Sequence, residues 1–160
     1  RKKQTVISWP KDELDLSDEL ATHLREDLKT RDIIVGREME IDRVNRLDIH
    51  IAVFSRDNLG RPKDSMETTI ELKCCWNREL DTAMESQLAG RYLSANGCRN
   101  GIYLIGWFSC ATWNDSSDTR KQQVPTISID EARKKFSKQA VEESVKTSFR
   151  VASVVLDTRM

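Results

Sequence analysis

The sequence has no excess of charge of either sign. It contains 160 residues, with 26 Lys and Arg against 26 Asp and Glu, so the formal net charge is zero. Bulk attraction to nucleic acid or to a membrane surface needs a large positive charge, and this composition excludes it. A local basic surface beside a local acidic one is not excluded, so the positions of the charges matter more than their number.

Long hydrophobic runs are also missing. The longest, residues 101–108, is far shorter than the roughly 20 residues that cross a bilayer, and it predicts a buried strand instead. The basic residues 1–3 are followed by no apolar segment of the kind that marks a secretory signal. We therefore expect a cytoplasmic protein without membrane partners. The chain does not begin with Met, which leaves open whether it is a domain of a longer protein.

Cysteine spacings typical of metal sites are absent. Cys74 and Cys75 are adjacent, and with Cys98 and Cys110 they match neither the paired spacing of a zinc site nor that of an iron–sulphur cluster. We interpret the cysteines as reduced thiols, two of them on a buried strand, in agreement with a cytoplasmic location.

Hydrophobic periodicity and turn signals divide the chain into helices and strands within a single domain, residues 1–160. No internal repeat or low-complexity segment interrupts the pattern. The resulting order, α, three strands, α, β, α, β, predicts an α/β fold with a mixed sheet and flanking helices. After a lead-in over 1–13, we predict helices over 16–30, 78–95 and 128–146, and strands over 32–41, 47–54, 66–75, 101–108 and 149–156.

Charged residues interrupt two of the predicted strands. Asp48 lies in the otherwise apolar strand 47–54, and Glu71 and Lys73 lie two residues apart in strand 66–75. Their spacing places Glu71 and Lys73 on one face of the strand. Buried charges are costly unless they are paired or bind a metal. The plain alternative is a cross-strand ion pair or a sheet surface that faces solvent.

The same three residues can support metal-assisted chemistry. Carboxylates on two adjacent strands, Asp48 and Glu71, can bind a divalent cation through oxygen ligands, with the main-chain carbonyl of Leu72 as a further ligand. A neighbouring lysine, Lys73, can orient or activate a water molecule and can offset the charge of a phosphate. These are the parts required for metal-assisted hydrolysis of a phosphodiester.

The second predicted helix carries two polar residues on its apolar side. A helical wheel at about 100° per residue places Gln87 and Arg91 within that side, so both are predicted to point towards the sheet. There each needs a partner, such as a metal-bound water, a phosphate oxygen or a catalytic carboxylate. Main-chain groups or a local acid are the alternative partners. The apolar residues of this side are Leu80, Ala83, Met84, Leu88 and Tyr92.

Together, Asp48, Glu71-Leu72-Lys73, and Gln87 and Tyr92 on the next helix resemble the motif of the PD-(D/E)XK nuclease superfamily, which has the restriction-endonuclease-like fold. The predicted element order over residues 16–108 is similar to the α-β-β-β-α-β core of that superfamily, with the last helix and strand as additions. At closer range the chain resembles a bacterial group of terminal nuclease domains of larger proteins, with a context in phage defence. The segments that carry this second resemblance are Arg37-Glu38, 46–50, Trp76-Asn77, Gln87-Leu88 and 101–108.

The resemblance implies a role for each residue of the motif. Asp48 and Glu71 would bind Mg²⁺ or Mn²⁺, and Lys73 would position or activate the attacking water and stabilise the transition state. Gln87 matches the motif glutamine of the helix that follows. Glu19 matches the first-helix acid that completes such sites, although Glu26 lies on the same flank of that helix.

The chain also departs from the family pattern. Leu47 stands where Pro usually precedes the first acid, and four residues separate Gln87 from Tyr92 where exonuclease-like members have three. We therefore interpret Tyr92 as a packing residue. His50 shares the face of Asp48, either as an alternative base or as a structural histidine of the sheet.

Basic and aromatic residues give further expectations about the substrate. Contacts with the phosphate backbone are expected from Arg46, Arg78 and Arg91, while a solvated loop surface explains the first two equally well. Trp76, Trp107 and Trp113 are candidates for stacking on bases, although aromatic residues are more often part of a core.

These patterns lead us to expect a Mg²⁺-dependent deoxyribonuclease, in which an endonuclease effector domain acts on duplex DNA. Sensor or ATPase domains of the same longer chain and a second copy of the chain would be its partners. The alternative is a catalytically silent module of the nuclease fold that binds nucleic acid or protein in a larger assembly. A third interpretation, an RNA-directed enzyme such as a toxin, differs only in its substrate.

Overall fold

The computed structural model describes residues 9–29, 33–37, 49–108 and 113–158. Asp48, Arg46 and Cys110 lie outside these ranges. In the described part of the chain, no helix is long and apolar enough to cross a membrane. The described elements are α1 (Glu13–Leu28), β1 (Ile33–Arg37), β2 (Ile49–Arg56), β3 (Pro62–Cys74), a π-helix (Met84–Leu93) that continues into α2 (Ser94–Asn96), β4 (Asn100–Trp107), a 3₁₀ helix (Thr119–Gln123), α3 (Ile129–Thr147) and β5 (Arg150–Asp157).

The described strands form one five-stranded sheet in the order β1-β2-β3-β4-β5. β1 pairs with β2, and β2 with β3, in antiparallel orientation, whereas β3 pairs with β4, and β4 with β5, in parallel. A helix crosses from β3 to β4 and another from β4 to β5, as parallel pairing requires. The structure therefore confirms the predicted element order and the α/β class with a mixed sheet.

Helices cover both faces of the sheet. A Cβ atom at Gly106 of β4 would lie 2.5 Å from Cδ2 of Leu16, so the missing side chain allows α1 to pack closely on this face. A Cβ atom at Gly101 would instead lie 3.0 Å from Leu93 and 3.1 Å from Leu88 of the π-helix. Because 101 and 106 have opposite parity, and strand residues alternate between faces, the π-helix packs on the face opposite to α1.

The third helix begins as the sequence predicts. Ser128 Oγ accepts a hydrogen bond from the main-chain nitrogen of Glu131, and the Glu131 carboxylate accepts one from the main-chain nitrogen of Ser128. This reciprocal cap satisfies main-chain donors that the first helical turn leaves without partners. The helix packs along β5, and its buried Phe136 lies with its ring centre 6.0 Å from that of Tyr103.

The helix predicted over 78–95 has a different geometry from the one expected. Its main part is a π-helix, in which each main-chain hydrogen bond spans five residues instead of four. The turn therefore contains more residues, and each residue rotates the helix by less than the 100° of an α-helix. The buried side chains accordingly recur at intervals of four and five, at Met84, Leu88, Ala89, Tyr92 and Leu93.

The described cysteines are buried thiols. Cys74 is the last residue of β3 and Cys75 follows it, while Cys98 precedes β4; none of the three forms a disulfide. Burial raises the pKa of Cys74 and raises that of Cys75 to about 11, so both remain protonated at neutral pH. This agrees with the interpretation of these cysteines as reduced core residues.

Candidate active site at the end of strand β3

Two charged side chains lie on the face of β3 that the π-helix covers. Glu71 is 1% exposed and Lys73 is 8% exposed, and Lys73 Nζ lies 2.6 Å from Oε1 of Glu71. β3 is the middle strand of the described sheet, and its register places these residues beside Tyr103 and Ile105 of β4. The prediction that Glu71 and Lys73 share a face is confirmed.

Tyr103 of β4 lies beside this pair and keeps its hydroxyl proton. Burial, and after it the neighbouring Glu71 carboxylate, raises the pKa of the Tyr103 hydroxyl. The hydroxyl stays protonated and donates a hydrogen bond of 2.7 Å to the main-chain oxygen of Leu80. Tyr103 thus ties the segment before the π-helix to the centre of the sheet.

His50 and Thr69 lie opposite each other on the same face of the sheet, towards the start of β3. Thr69 is fully buried, and Nε2 of His50 lies 3.4 Å from a carboxylate oxygen of Glu67. Glu67 lies farther from Lys73 along β3 than Thr69 does. This contact favours the structural interpretation of His50 over a role as a base.

Asp48, the other predicted metal ligand, lies outside the described residues, as does Arg46. Asp48 directly precedes Ile49, the first residue of β2, and Ile49 pairs with Ile70 of β3. Ile70 in turn directly precedes Glu71. Each of the two predicted carboxylates is therefore the chain neighbour of one member of the Ile49–Ile70 pair.

The structure does not bring Glu19 to the Glu71–Lys73 pair. α1 packs on the opposite face of the sheet, and Glu19 lies on the exposed side of α1, where its carboxylate is 2.7 Å from Nζ of Lys11. The hydrogen bond from Lys11 lowers the pKa of Glu19. The position expected for Glu19 is wrong, because a seven-residue spacing to Glu26 identifies a flank of a helix but not the direction in which it faces.

The acid of α1 that does face inward is Glu13, which is not among the predicted site residues. Its Oε1 accepts hydrogen bonds from the main-chain nitrogen of Cys74 and from Nδ2 of Asn77. Glu13 precedes the buried Leu16 by three residues, and residues three apart lie on the same side of a helix. This spacing is the signal that could have identified Glu13 as the residue that fixes the end of β3.

The polar residues of the π-helix also lie elsewhere than expected. Arg91 is exposed, and Gln87 is half-buried and donates a hydrogen bond of 2.7 Å to the carboxylate of Glu79. The prediction that both point towards the sheet is wrong, because the wheel assumed an α-helix and the wider π turn rotates them outward. Arg78 is exposed as well, in the segment between β3 and the π-helix.

A groove of about 770 Å³ opens directly after β3. Its first residue, Cys75, is two residues beyond Lys73, so their Cα atoms are at most about 7 Å apart. The segment of the chain before α3 forms the far wall. The lining residues are Cys75, Trp76, Asn77, Arg78, Leu80, Asp81, Thr119, Gln122, Gln123 and Pro125.

The tryptophans considered for base stacking are core residues. Trp76 is 8% exposed, and Trp107 and Trp113 are exposed by 2% or less. The Trp76 ring contacts the rings of Phe108 and Trp113, with centre-to-centre distances of 4.9 and 5.4 Å. Of the three, only Trp76 also lines the groove.

The described residues include one of the two strand carboxylates that the sequence predicts as metal ligands. No group of three His, Cys, Asp or Glu side chains within them could hold a metal ion. Glu71 provides one carboxylate, which is the type of donor that Mg²⁺ prefers, and Asp48 would provide the second. The donor chemistry of Glu71 and Asp48 fits a divalent cation, whereas the Glu19 carboxylate is paired with Lys11 on the exposed side of α1.

Comparison of the chain with protein-family models, with curated proteins and with solved structures found no significant match.

Proposed function

We propose that this chain is a metal-dependent nuclease that hydrolyses phosphodiester bonds in DNA, with Glu71 and Lys73 at its active centre. The observation that carries the proposal is the buried pair itself, 2.6 Å apart in the middle of the sheet and directly before an open groove. A buried ion pair adds little net stability, because desolvation offsets its attraction. Charged groups that are buried beside a charged partner cluster at functional sites.

In this proposal Mg²⁺ binds to the carboxylates of Glu71 and Asp48. When bound, it would polarise the scissile phosphate and lower the pKa of a coordinated water molecule, which makes that water a better nucleophile. The backbone of Glu71 is rigid, since β3 is hydrogen-bonded to β2 on one side and to β4 on the other. Glu19, which the structure places on the outer side of α1, is not part of the ligand set.

Lys73 provides the positive charge of the site. Its ammonium carries three donors and no acceptor, so it can hold Glu71 and a phosphate or water oxygen in fixed directions. A fixed positive charge beside the reacting phosphate stabilises the charge that develops in the transition state. Burial strengthens this effect, because water screens the interaction less.

The proposal includes a finer assignment of the α/β fold to the restriction-endonuclease-like class. It is supported by the order α1-β1-β2-β3-helix-β4 and by a sheet whose first three strands are antiparallel and whose next strand is parallel. We further propose an endonuclease effector domain that acts on duplex DNA in defence against phage. A second copy of the chain, and sensor or ATPase domains of a longer chain, are the partners that this role implies.

One observation favours a second candidate, a catalytically silent module of the same fold. Lys73 Nζ already has a partner, the Glu71 carboxylate at 2.6 Å, and in such a module this ion pair would have only a structural role. Thermal melts separate the two candidates. A nuclease of the proposed kind gains stability when Mg²⁺ or Mn²⁺ is added, because a ligand that binds the folded state stabilises it. A silent module shows no shift.

Cleavage assays test the nuclease proposal directly. Supercoiled plasmid, linear duplex, single-stranded DNA and RNA are each incubated with wild type in Mg²⁺, Mn²⁺ or chelator. We expect metal-dependent cleavage of DNA that is lost in Asp48→Ala and Lys73→Ala and kept in Lys134→Ala, an exposed control lysine on α3. Cleavage in chelator, or undiminished cleavage by both site variants, contradicts the mechanism, and cleavage of RNA alone identifies the RNA-directed alternative.

A further variant distinguishes loss of catalysis from loss of the fold. Removing only Lys73 withdraws the charge 2.6 Å from a buried carboxylate and can unfold the chain. The double variant Glu71→Gln/Lys73→Met removes both charges while keeping similar side-chain volumes. If it is folded by circular dichroism and still cleaves DNA at the wild-type rate, the assignment of the active centre is wrong.

A further inference from the structure

We infer that the groove after β3 is a nucleotide-binding subsite, in which Arg78 holds a phosphate and the amides of Gln122 and Gln123 contact the edge of a base. The inference deepens the proposed function, because it names the part of a DNA strand that lies beside the Glu71–Lys73 pair. Binding at the groove does not itself require cleavage. The groove has a volume of about 770 Å³, which lies within the range of small-molecule sites.

The near wall of the groove, residues 75–81, is held in place by hydrogen bonds to α1 and to the sheet. The side-chain oxygen of Asn77 accepts a hydrogen bond of 2.8 Å from the main-chain nitrogen of Glu79, and its Nδ2 donates to Glu13 of α1. The main-chain oxygen of Leu80 accepts the hydrogen bond from Tyr103. The segment that carries Arg78 is therefore fixed at both ends before any ligand binds.

The far wall is fastened to the near wall by Arg120. Its guanidinium lies 4.9 Å from the centre of the Trp76 ring, a distance suited to a cation–π interaction. The same group donates a hydrogen bond of 2.7 Å to Asp118 and one of 3.2 Å to the main-chain oxygen of Pro10. Asp118 also accepts a hydrogen bond from the indole of Trp113. A preformed groove loses little entropy when a ligand is ordered in it.

The polar groups in the groove favour an anionic ligand. The exposed side chains of Arg78, Gln122 and Gln123 form no hydrogen bond or ion pair with the described part of the chain. The acid of the lining, Asp81, is already neutralised by Lys135 at 2.6 Å. The remaining charge is thus that of Arg78, whose planar guanidinium suits a phosphate.

The remaining lining suits a nucleobase. Side-chain amides both donate and accept hydrogen bonds, as recognition of a base edge requires. The half-buried Pro125 adds apolar surface for a face of the ring. A strand with one nucleotide in this groove passes beside the end of β3, because the lining residue Cys75 directly follows Cys74, the last residue of β3.

Binding of a fluorescein-labelled single-stranded hexanucleotide in chelator, followed by fluorescence anisotropy, tests the inference without cleavage. We expect Arg78→Ala to weaken binding about tenfold, the worth of a lost charge-assisted hydrogen bond, and Gln122→Ala by a smaller factor. Arg99→Ala is the matched control, because this exposed arginine precedes β4 at the opposite end of the sheet. It is expected to change the affinity by less than about twofold.

The outcomes separate this inference from the proposed function. Wild type that binds no hexanucleotide, unchanged binding by Arg78→Ala, or an equal loss in Arg99→Ala would each overturn the groove assignment. If the wild type cleaves DNA while Arg78→Ala binds and cleaves normally, the nuclease proposal stands and the groove inference fails. If binding depends on Arg78 but no nucleic acid is cleaved, the groove inference stands and the nuclease proposal fails.

Discussion

The ammonium nitrogen of Lys73 lies 2.6 Å from Oε1 of Glu71, and both side chains are buried at the centre of the sheet. We predict that Lys73→Met alone lowers the free energy of unfolding by about 3 kcal/mol, because it leaves a buried carboxylate without its nearest positive charge. The midpoint of urea unfolding, with the slope held constant, measures this loss.

The double variant is the informative comparison for this pair. Because Glu71→Gln also removes the carboxylate charge, Glu71→Gln/Lys73→Met is expected to recover most of the stability that Lys73→Met loses. Effects of the two substitutions should thus be far from additive. Additive losses would show that the two charges do not depend on each other for stability.

Gly90 reports directly on the π geometry. A Cβ atom at this position would lie 2.9 Å from the main-chain oxygen of Glu85, five residues earlier. In an exposed α-helix, Gly→Ala stabilises by about 1 kcal/mol. Here we expect Gly90→Ala to destabilise by about 1–3 kcal/mol, the usual cost of overpacking.

Arg91→Ala, at the exposed neighbouring position, is the control for Gly90→Ala and is expected to change stability by less than about 0.5 kcal/mol. Both variants are compared with wild type in urea unfolding. A gain in stability for Gly90→Ala would show that the segment Met84–Leu93 is an ordinary α-helix in solution.

The alternation of β3 explains why part of the site could be predicted from sequence. Glu71 and Lys73 share a face because strand residues alternate, whatever the rest of the fold does. The cap of α3 was also predictable, since Ser128 and Glu131 contact each other within one turn. In both cases the signal and its consequence lie within four residues of each other.

The parts that could not be predicted depend on longer-range facts. The directions of Gln87 and Arg91 follow from the type of helix, which the sequence pattern did not reveal. The far wall of the groove depends on Arg120, which reaches Trp76 across 44 residues of chain. Only tertiary packing shows that these two residues meet.

Arg120 is expected to stabilise the fold through its contacts with Asp118 and Trp76. We predict that Arg120→Ala lowers the free energy of unfolding by about 2 kcal/mol, the scale of hydrogen bonds to a charged group. Arg120→Lys should recover only part of this loss, because an ammonium cannot form the bidentate and stacked contacts. Lys134→Ala, an exposed charge removal on α3, is the control. If Arg120→Lys is as stable as wild type, charge alone explains the effect and the planar contacts contribute nothing.

Glu143 of α3 predicts a pH dependence of opposite sign to that of most carboxylates. Burial raises its pKa, and the ammonium of Lys146, at 3.8 Å, offsets only part of this effect. A carboxyl group with a raised folded-state pKa binds protons more tightly in the folded chain than in the unfolded chain. Its contribution to stability therefore falls as the pH rises from its unfolded pKa, about 4.3, through its folded pKa.

Glu143→Gln removes this penalty, so its stability relative to wild type should be higher at pH 7 than at pH 3.5. Lys146 keeps a second partner in the variant, since its Nζ lies 2.6 Å from the carboxylate of Glu85. Glu142→Gln, in which the replaced side chain is 63% exposed, is the matched control and should show a much smaller difference between the two pH values. Urea unfolding of the three proteins at both pH values measures the difference. A gap between Glu143→Gln and wild type that is constant with pH, or larger in acid, would show that burial of Glu143 does not disfavour its charged form.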